Sequence, residues 1–134
     1  MSAADPTTPP ATGATPGRIA VSGIVGTGHH GVFDFERERG QRFVVDVVCH
    51  LDLDAAATSD DVADTVDYGS LAAAVKADIE GEPLNLIEAL AARIASTCLS
   101  DPRVGSVDVT VHKPGAPMPV ETSDVSVTLT RSRL

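Results

Sequence analysis

Between Gln41 and Asp54 the chain alternates: Phe43, Val45, Val47, Cys49, Leu51 and Leu53 fall on one side, and Val44, Asp46, Val48, His50 and Asp52 on the other. A period of two sustained over that length is the mark of a long strand with one face turned to a core. The second face carries two valines among its charges, more than water alone would select, so it too meets something. The rest of the chain has to supply a sheet for this strand and a layer to cover its apolar side.

Upstream, Ile19–Val25 reads as a short strand that dissolves into the glycine-rich Gly26-Thr27-Gly28-His29-His30-Gly31. This run lacks GxGxxG spacing and a helix after it, since Val32–Gly40 is short, charged and loop-like, so it is no dinucleotide fingerprint. Downstream of the polar Thr58-Ser59-Asp60-Asp61, a helical pattern begins near Asp67 or Ser70, puts Leu71, Val75 and Ile79 on one stripe and stops at Gly81. A second helix follows Pro83, with Leu86, Leu90, Ile94 and Cys98 in a 3.6-residue period and Ile87 and Ala91 alongside, ending near Ser100 to Pro102. Val104–Val111 and Val125–Thr130 then alternate again. The expected fold is therefore α+β, a four-stranded antiparallel sheet with two helices on one face in the order ββααββ. Such a sheet leaves two edges open, and pairing between subunits to close a barrel is one way to cover them.

A chain of 134 residues and 13.8 kDa fits one domain. Residues 1–17 hold four prolines without apolar periodicity and read as a disordered extension, which leaves 18–134 as the folded unit. No basic start or long apolar run marks a signal peptide, and no stretch approaches the roughly 18 apolar residues of a membrane span, so a cytoplasmic protein is expected. The net charge of -9 has the wrong sign for binding nucleic acid. Only three Phe and one Tyr are present, so a flat ligand must be held mainly by aliphatic side chains and backbone. Cys49 and Cys98 sit at apolar positions far apart in sequence and read as reduced core residues.

Several residues are candidates for chemistry. Lys113 stands at the tip of the strand Val107–Val111, with Pro114 behind it and Pro117 and Pro119 beyond, so a long cation is presented from a restrained backbone. Glu88, in Asn85-Leu86-Ile87-Glu88, has the spacing of a capping box with Asn85; its functional reading is a buried carboxylate able to take two parallel N–H bonds from a guanidine-like heterocycle edge. Tyr68, the single tyrosine, lies in the first turn of its helix, where it packs its ring or serves as a proton donor. Glu36 sits among alternating charges, the setting of a solvated side chain. Histidines 29, 30, 50 and 112 show no zinc-ligand spacing; His50 and His112 fit exposed strand positions and His30 a turn. Gly-x-Ser-x-Gly, a phosphate loop and CxxC are all missing.

Five blocks in register carry more than any of them alone. Gly28-His29-His30-Gly31-Val32 with Glu36, Gly40-Gln41-Arg42-Phe43 with Asp46, Ser59-Asp60-Asp61 with Asp64-Thr65-Val66-Asp67-Tyr68, Asn85-Leu86-Ile87-Glu88 and His112-Lys113-Pro114 together resemble dihydroneopterin aldolase from about Ile19 to Arg131. The proline-rich head, the doubled histidine and Ser70 depart from the family's pattern without touching those residues. The resemblance implies the tunnelling fold, whose ββααββ units assemble into barrels, commonly tetramers or octamers with sites at subunit interfaces. It implies a lyase of folate biosynthesis that cleaves 7,8-dihydroneopterin without metal or other cofactor and often epimerises the side chain as well. By matching positions, Glu88 anchors the pterin edge, backbone groups around Thr65, Val66 and Ile87 complete the ring's hydrogen bonds, and Lys113, Tyr68 and Glu36 surround the reacting bond, with Tyr68 coming from a neighbouring subunit. Alternatives are an epimerase of the same fold, a zinc-dependent pterin synthase of the same superfamily, disfavoured by the missing histidine cluster, and a non-catalytic pterin- or purine-binding module.

Overall fold

The computed structural model describes residues 15–133. Strand β1 (Pro16–Gly28) pairs antiparallel with β2 (Gln41–Asp52), β2 with β3 (Ser106–His112), and β3 with β4 (Ser126–Ser132), so the sheet runs in chain order with β1 and β4 at its edges. Between them come α1 (Asp34–Arg39), α2 (Asp54–Ser59), a 3-10 turn (Val62–Asp64), α3 (Tyr68–Ile79) and α4 (Ile87–Leu99). α3 lies against β1, and α4 against β3, β4 and α3.

The core is the layer between the sheet and these two helices. Phe43, Val45, Val47, Cys49 and Leu51 are buried, as the alternation of β2 requires, and meet Val107, Val109 and Val111 of β3 on the same side. From above, Leu71, Val75 and Ile79 of α3 and Leu90, Ile94 and Cys98 of α4 close the layer. Each such side chain removed from water contributes about 1.5–3 kcal/mol. α3 starts at Tyr68 because the Asp67 carboxylate caps it, accepting from Gly69 N at 3.1 Å and Ser70 N at 3.3 Å. Cys49 and Cys98 both lie buried in this core as free thiols.

The other side of the sheet is a polar network, which is what Val44 and Val48 share their face with. His50 Nε2 pairs with Asp108 at 2.8 Å, Thr130 donates to the same carboxylate, and Thr110 and Thr128 bond across β3 and β4 at 2.9 Å.

Several boundaries differ from the sequence expectation. Residues 1–14 of the expected extension lie outside the described residues, whereas Pro16 and Gly17 belong to β1, and that strand runs on through Gly26 to Gly28. The pairing of β1 with β2 shifts register at a bulge between Val21 and Ile24. The stretch expected to be loop over Val32–Gly40 contains α1, and the polar segment before α3 contains α2. Both are single short helices with too few residues to display a period. β3 begins at Ser106 rather than Val104, and β4 extends to Ser132. No helix among the described residues is long and apolar enough to cross a membrane.

Candidate active site

The sequence setting of Glu36 suggests a solvated charge; the structure buries it to 3% exposure. α1 has its N-cap at Phe33, and Glu36, three positions on, folds its carboxylate back to the Phe33 amide at 3.3 Å. The other carboxylate oxygen accepts from Gln41 Nε2 at 2.8 Å and from Lys113 Nζ at 2.7 Å. Burial opposes ionisation of Glu36, but the hydrogen bonds from Lys113, Gln41 and the Phe33 amide outweigh it and leave the pKa below the ordinary glutamate value. The pair is therefore a carboxylate facing an ammonium in a nearly dry setting.

Three contacts hold α1 where Glu36 can reach β3. Gly31, at φ +149°, passes so close that a Cβ there would stand 2.3 Å from the Glu36 carboxyl, so only glycine fits. Its amide donates to Leu84 O at 2.8 Å, and its carbonyl accepts from Arg37 Nε at 2.9 Å, while Arg37 Nη2 donates to Asn85 Oδ1. His30, fully buried, accepts from Leu84 N at 3.0 Å through Nδ1 and therefore donates through Nε2 to Ile79 O at 2.6 Å. Burial lowers its pKa, so it is a neutral imidazole of fixed tautomer tying the glycine-rich turn to the end of α3.

Lys113 follows the last residue of β3. Its amide extends the ladder by donating to Val125 O at 2.7 Å, and its carbonyl accepts from Ala116 N at 3.1 Å, closing a turn around Pro114 and Gly115. The side chain and its Glu36 partner line a cleft of about 220 Å³ together with Val32, Phe33, Ile87, Glu88 and Val125. Glu88 shares this cleft but is exposed, not buried as its functional reading assumed. The capping box with Asn85 does not form either: α4 is capped at Leu86 without a side-chain bond, and the Asn85 carbonyl oxygen serves Arg37 instead. Freed from the helix end, the Glu88 carboxylate is available to a ligand.

Four of the seven candidate residues thus converge: Glu36, Lys113, Ile87 and Glu88. Tyr68, Thr65 and Val66 do not. Tyr68 is 66% exposed at the start of α3, Val66 is buried and Thr65 half-buried, and all three lie away from the cleft of the same subunit. Gln41 is the participant that the residue-by-residue reading missed. Besides holding Glu36, it keeps an Oε1 that is buried without a hydrogen-bond partner, 3.3 Å from where a Cβ on Gly115 would stand. A glutamine at the first residue of a strand gives no sign of this until the turn after β3 is folded over it.

The four-stranded antiparallel sheet under α3 and α4, with the buried Glu36–Lys113 pair opening on a small cleft, has the tunnelling fold of solved dihydroneopterin aldolases. The chain belongs to the dihydroneopterin aldolase family, whose model matches residues 19–130. It is 54% identical over 117 residues to the dihydroneopterin aldolase of Streptomyces coelicolor, a match spanning 87% of this chain and 98% of that one. Its structure is similar to that of E. coli dihydroneopterin aldolase in complex with neopterin, with a TM-score of 0.79, 29% identity and coverage of 87% of this chain and 99% of that one. It is also similar to the dihydroneopterin aldolase of Burkholderia thailendensis bound to guanine, with a TM-score of 0.71, 26% identity and coverage of 88% and 92%. Like its family, the chain is an aldolase, a lyase of folate biosynthesis.

Proposed function

We propose that the cleft around Glu36 and Lys113 binds 7,8-dihydroneopterin and cleaves it to 6-hydroxymethyl-7,8-dihydropterin and glycolaldehyde. The observation that carries this reading is the 2.7 Å pair of Lys113 and Glu36 sharing one cleft with the free Glu88 carboxylate. Neopterin and guanine, bound by two similar proteins, both present an amino group beside a ring N–H. One carboxylate meets that donor pair with two charge-assisted bonds, and Glu88 is the carboxylate placed to do so.

Cleavage begins when a base takes the proton of the hydroxyl carried by the far carbon of the breaking bond, the second carbon of the side chain. The oxygen's electrons form the aldehyde, the carbon–carbon bond breaks, and its electrons enter the ring imine, whose nitrogen takes a proton. The resulting enamine is then protonated on its exocyclic carbon to give the hydroxymethyl product. Because the ring supplies its own electron sink, no Schiff base is needed. Lys113 is engaged by Glu36 at 2.7 Å rather than left free to attack a carbonyl. Lys113 instead supplies charge and a proton near the ring nitrogen, Glu36 orients it, and Tyr68 moves the proton that completes or reverses the step. Re-addition of glycolaldehyde turned the other way before release gives the epimer.

Two observations support a homo-oligomer, a tetramer or octamer with shared sites. The cleft of about 220 Å³ falls short of the roughly 300–1,000 Å³ usual for a ligand site. Tyr68, Thr65 and Val66 lie outside it, and β1 and β4 leave open edges through which a neighbour can bring them in. The test is incubation of the protein with 7,8-dihydroneopterin, quantifying all pterin products and glycolaldehyde. Equimolar glycolaldehyde and hydroxymethyl product support the reading, and an unchanged substrate overturns it. Borohydride added during turnover leaves the chain's mass unchanged if no lysine adduct forms.

A further inference from the structure

His112, the last residue of β3, makes two hydrogen bonds on the polar side of the sheet. Nε2 lies 2.8 Å from Asp46 Oδ2 and Nδ1 lies 2.7 Å from Asp124 Oδ2. An ionised carboxylate can only accept, and a neutral imidazole has one N–H, so both bonds form together only when the ring is an imidazolium. Asp46 is itself fixed from the far side, accepting at 2.8 Å from the amide of Gly23, whose φ of +73° at the bulge of β1 turns that N–H toward it. The chain of contacts therefore crosses the sheet from β1 through β2 and β3 to the segment entering β4.

What it ends on is the wall of the cleft. The residue after His112 is Lys113 and the residue after Asp124 is Val125, and Lys113 N donates to Val125 O at 2.7 Å. Between these two tethers runs the irregular segment 114–125, which contributes Ala116, Pro117 and Val125 to the cleft. That segment has no helix or strand of its own, so its ends determine where it sits. We propose that the His112 imidazolium is a positioning residue for the aldol cleavage: by holding Asp46 and Asp124 at once it fixes the strand end and the loop entry that aim Lys113 at Glu36 and the substrate.

The charged groups facing the ring are Asp46 from β2 and Asp124 from the approach to β4; β1 reaches it through the Gly23 amide, and Arg42 shares the same face of β2 without pairing to it. Both carboxylates raise the His112 pKa above the ordinary value, so the clamp is complete below the raised value and is lost as pH rises through it. Above it, one of the two carboxylates loses its donor and the loop entry is released.

This inference rests on the assignment of Lys113 to the reaction. The experiment measures kcat and KM for 7,8-dihydroneopterin against pH in the unaltered protein, His112→Gln and Asp124→Asn. A glutamine amide cannot donate at both ends, so His112→Gln lowers kcat about tenfold with KM nearly unchanged, and the alkaline decline of kcat seen in the unaltered protein is absent from it. In Asp124→Asn the amide can donate to a neutral ring or accept from a charged one, so kcat stays near that of the unaltered protein at neutral pH while the alkaline decline again disappears. The inference is overturned if His112→Gln keeps the full kcat–pH curve, if its kcat, KM and melting temperature all change together, or if Asp124→Asn keeps the alkaline decline. Lys113→Ala, measured beside them, separates the two assignments: if it still turns over at the normal rate, the role of the lysine fails and the inference with it, whereas an inactive Lys113→Ala beside a His112→Gln that keeps the full kcat–pH curve overturns the role of the histidine alone.

Discussion

Lys113 Nζ stands 2.7 Å from Glu36 Oε2, joining the turn after β3 to the first helix through side chains that are 13% and 2% exposed. Removing one partner of such a pair leaves the other charge stranded. Glu36 is the more deeply buried, so Lys113→Met is the costlier single change, lowering the unfolding free energy by about 3 kcal/mol. Glu36→Gln costs less, because the ammonium can bend toward water. The double variant loses less than the two together, since nothing charged is left behind. Urea unfolding of the four proteins checks this, and strictly additive losses would show that the two residues are not coupled.

The roles proposed for the two ends of the cleft are separable. On that proposal Lys113→Ala lowers kcat by about 100-fold or more while pterin affinity is largely kept, because Lys113 acts at the reacting bond. Glu88→Ala weakens pterin binding by about 10- to 100-fold, as expected for the loss of a paired, charge-assisted contact. Steady-state turnover combined with calorimetric binding of neopterin distinguishes the two. A reversed pattern, with binding lost on removing the lysine and turnover lost on removing the glutamate, overturns the assignment.

His30 predicts a pH dependence in the opposite sense to His112. Its pKa is lowered in the folded protein by burial, so on acidification the unfolded chain takes up its proton first. The stability that neutral His30 contributes is present above the unfolded value, near 6.5, and is lost as pH falls below it, at up to about 1.4 kcal/mol per pH unit. The difference in unfolding free energy between the unaltered protein and His30→Gln therefore shrinks between pH 7 and pH 5.5. Parallel curves over that interval would mean that His30 titrates alike in both states.

What the sequence discloses here follows the range of the interactions involved. The alternation of β2 and the stripes Leu71-Val75-Ile79 and Leu86-Leu90-Ile94-Cys98 are local patterns repeated often enough to announce themselves, and the structure places them in one core, except Leu86, which is exposed ahead of α4. α1 is a single short helix without a repeat, and its Glu36 looks solvated because the partners that bury it, Gln41 and above all Lys113, come from other elements. Asn85 and Glu88 show the converse: their spacing satisfies a local capping rule, yet Arg37 takes the asparagine and the helix begins at Ile87. Local preference loses wherever a long-range partner offers a better bond. The resemblance named Glu36, Glu88 and Lys113 as one site, and the three line one cleft; it says nothing of the clamp proposed for His112.

The position of Tyr68 carries the last prediction. It lies away from the cleft that holds Lys113 and is 66% exposed, so if it acts on the same substrate it must do so from another subunit. Tyr68→Phe and Lys113→Ala then damage the same site from opposite sides. Each homo-oligomer is impaired at every site, whereas mixed oligomers contain some sites built from an intact Tyr68 of one chain and an intact Lys113 of its neighbour. For random assortment of equal amounts of two chains around a closed ring, about a quarter of the sites are intact. Co-unfolding and refolding the two variants therefore restores roughly that share of normal activity, while mixing them folded restores little until subunits exchange. Should the co-refolded mixture show only the average of the two variants, Tyr68 and Lys113 do not meet across an interface.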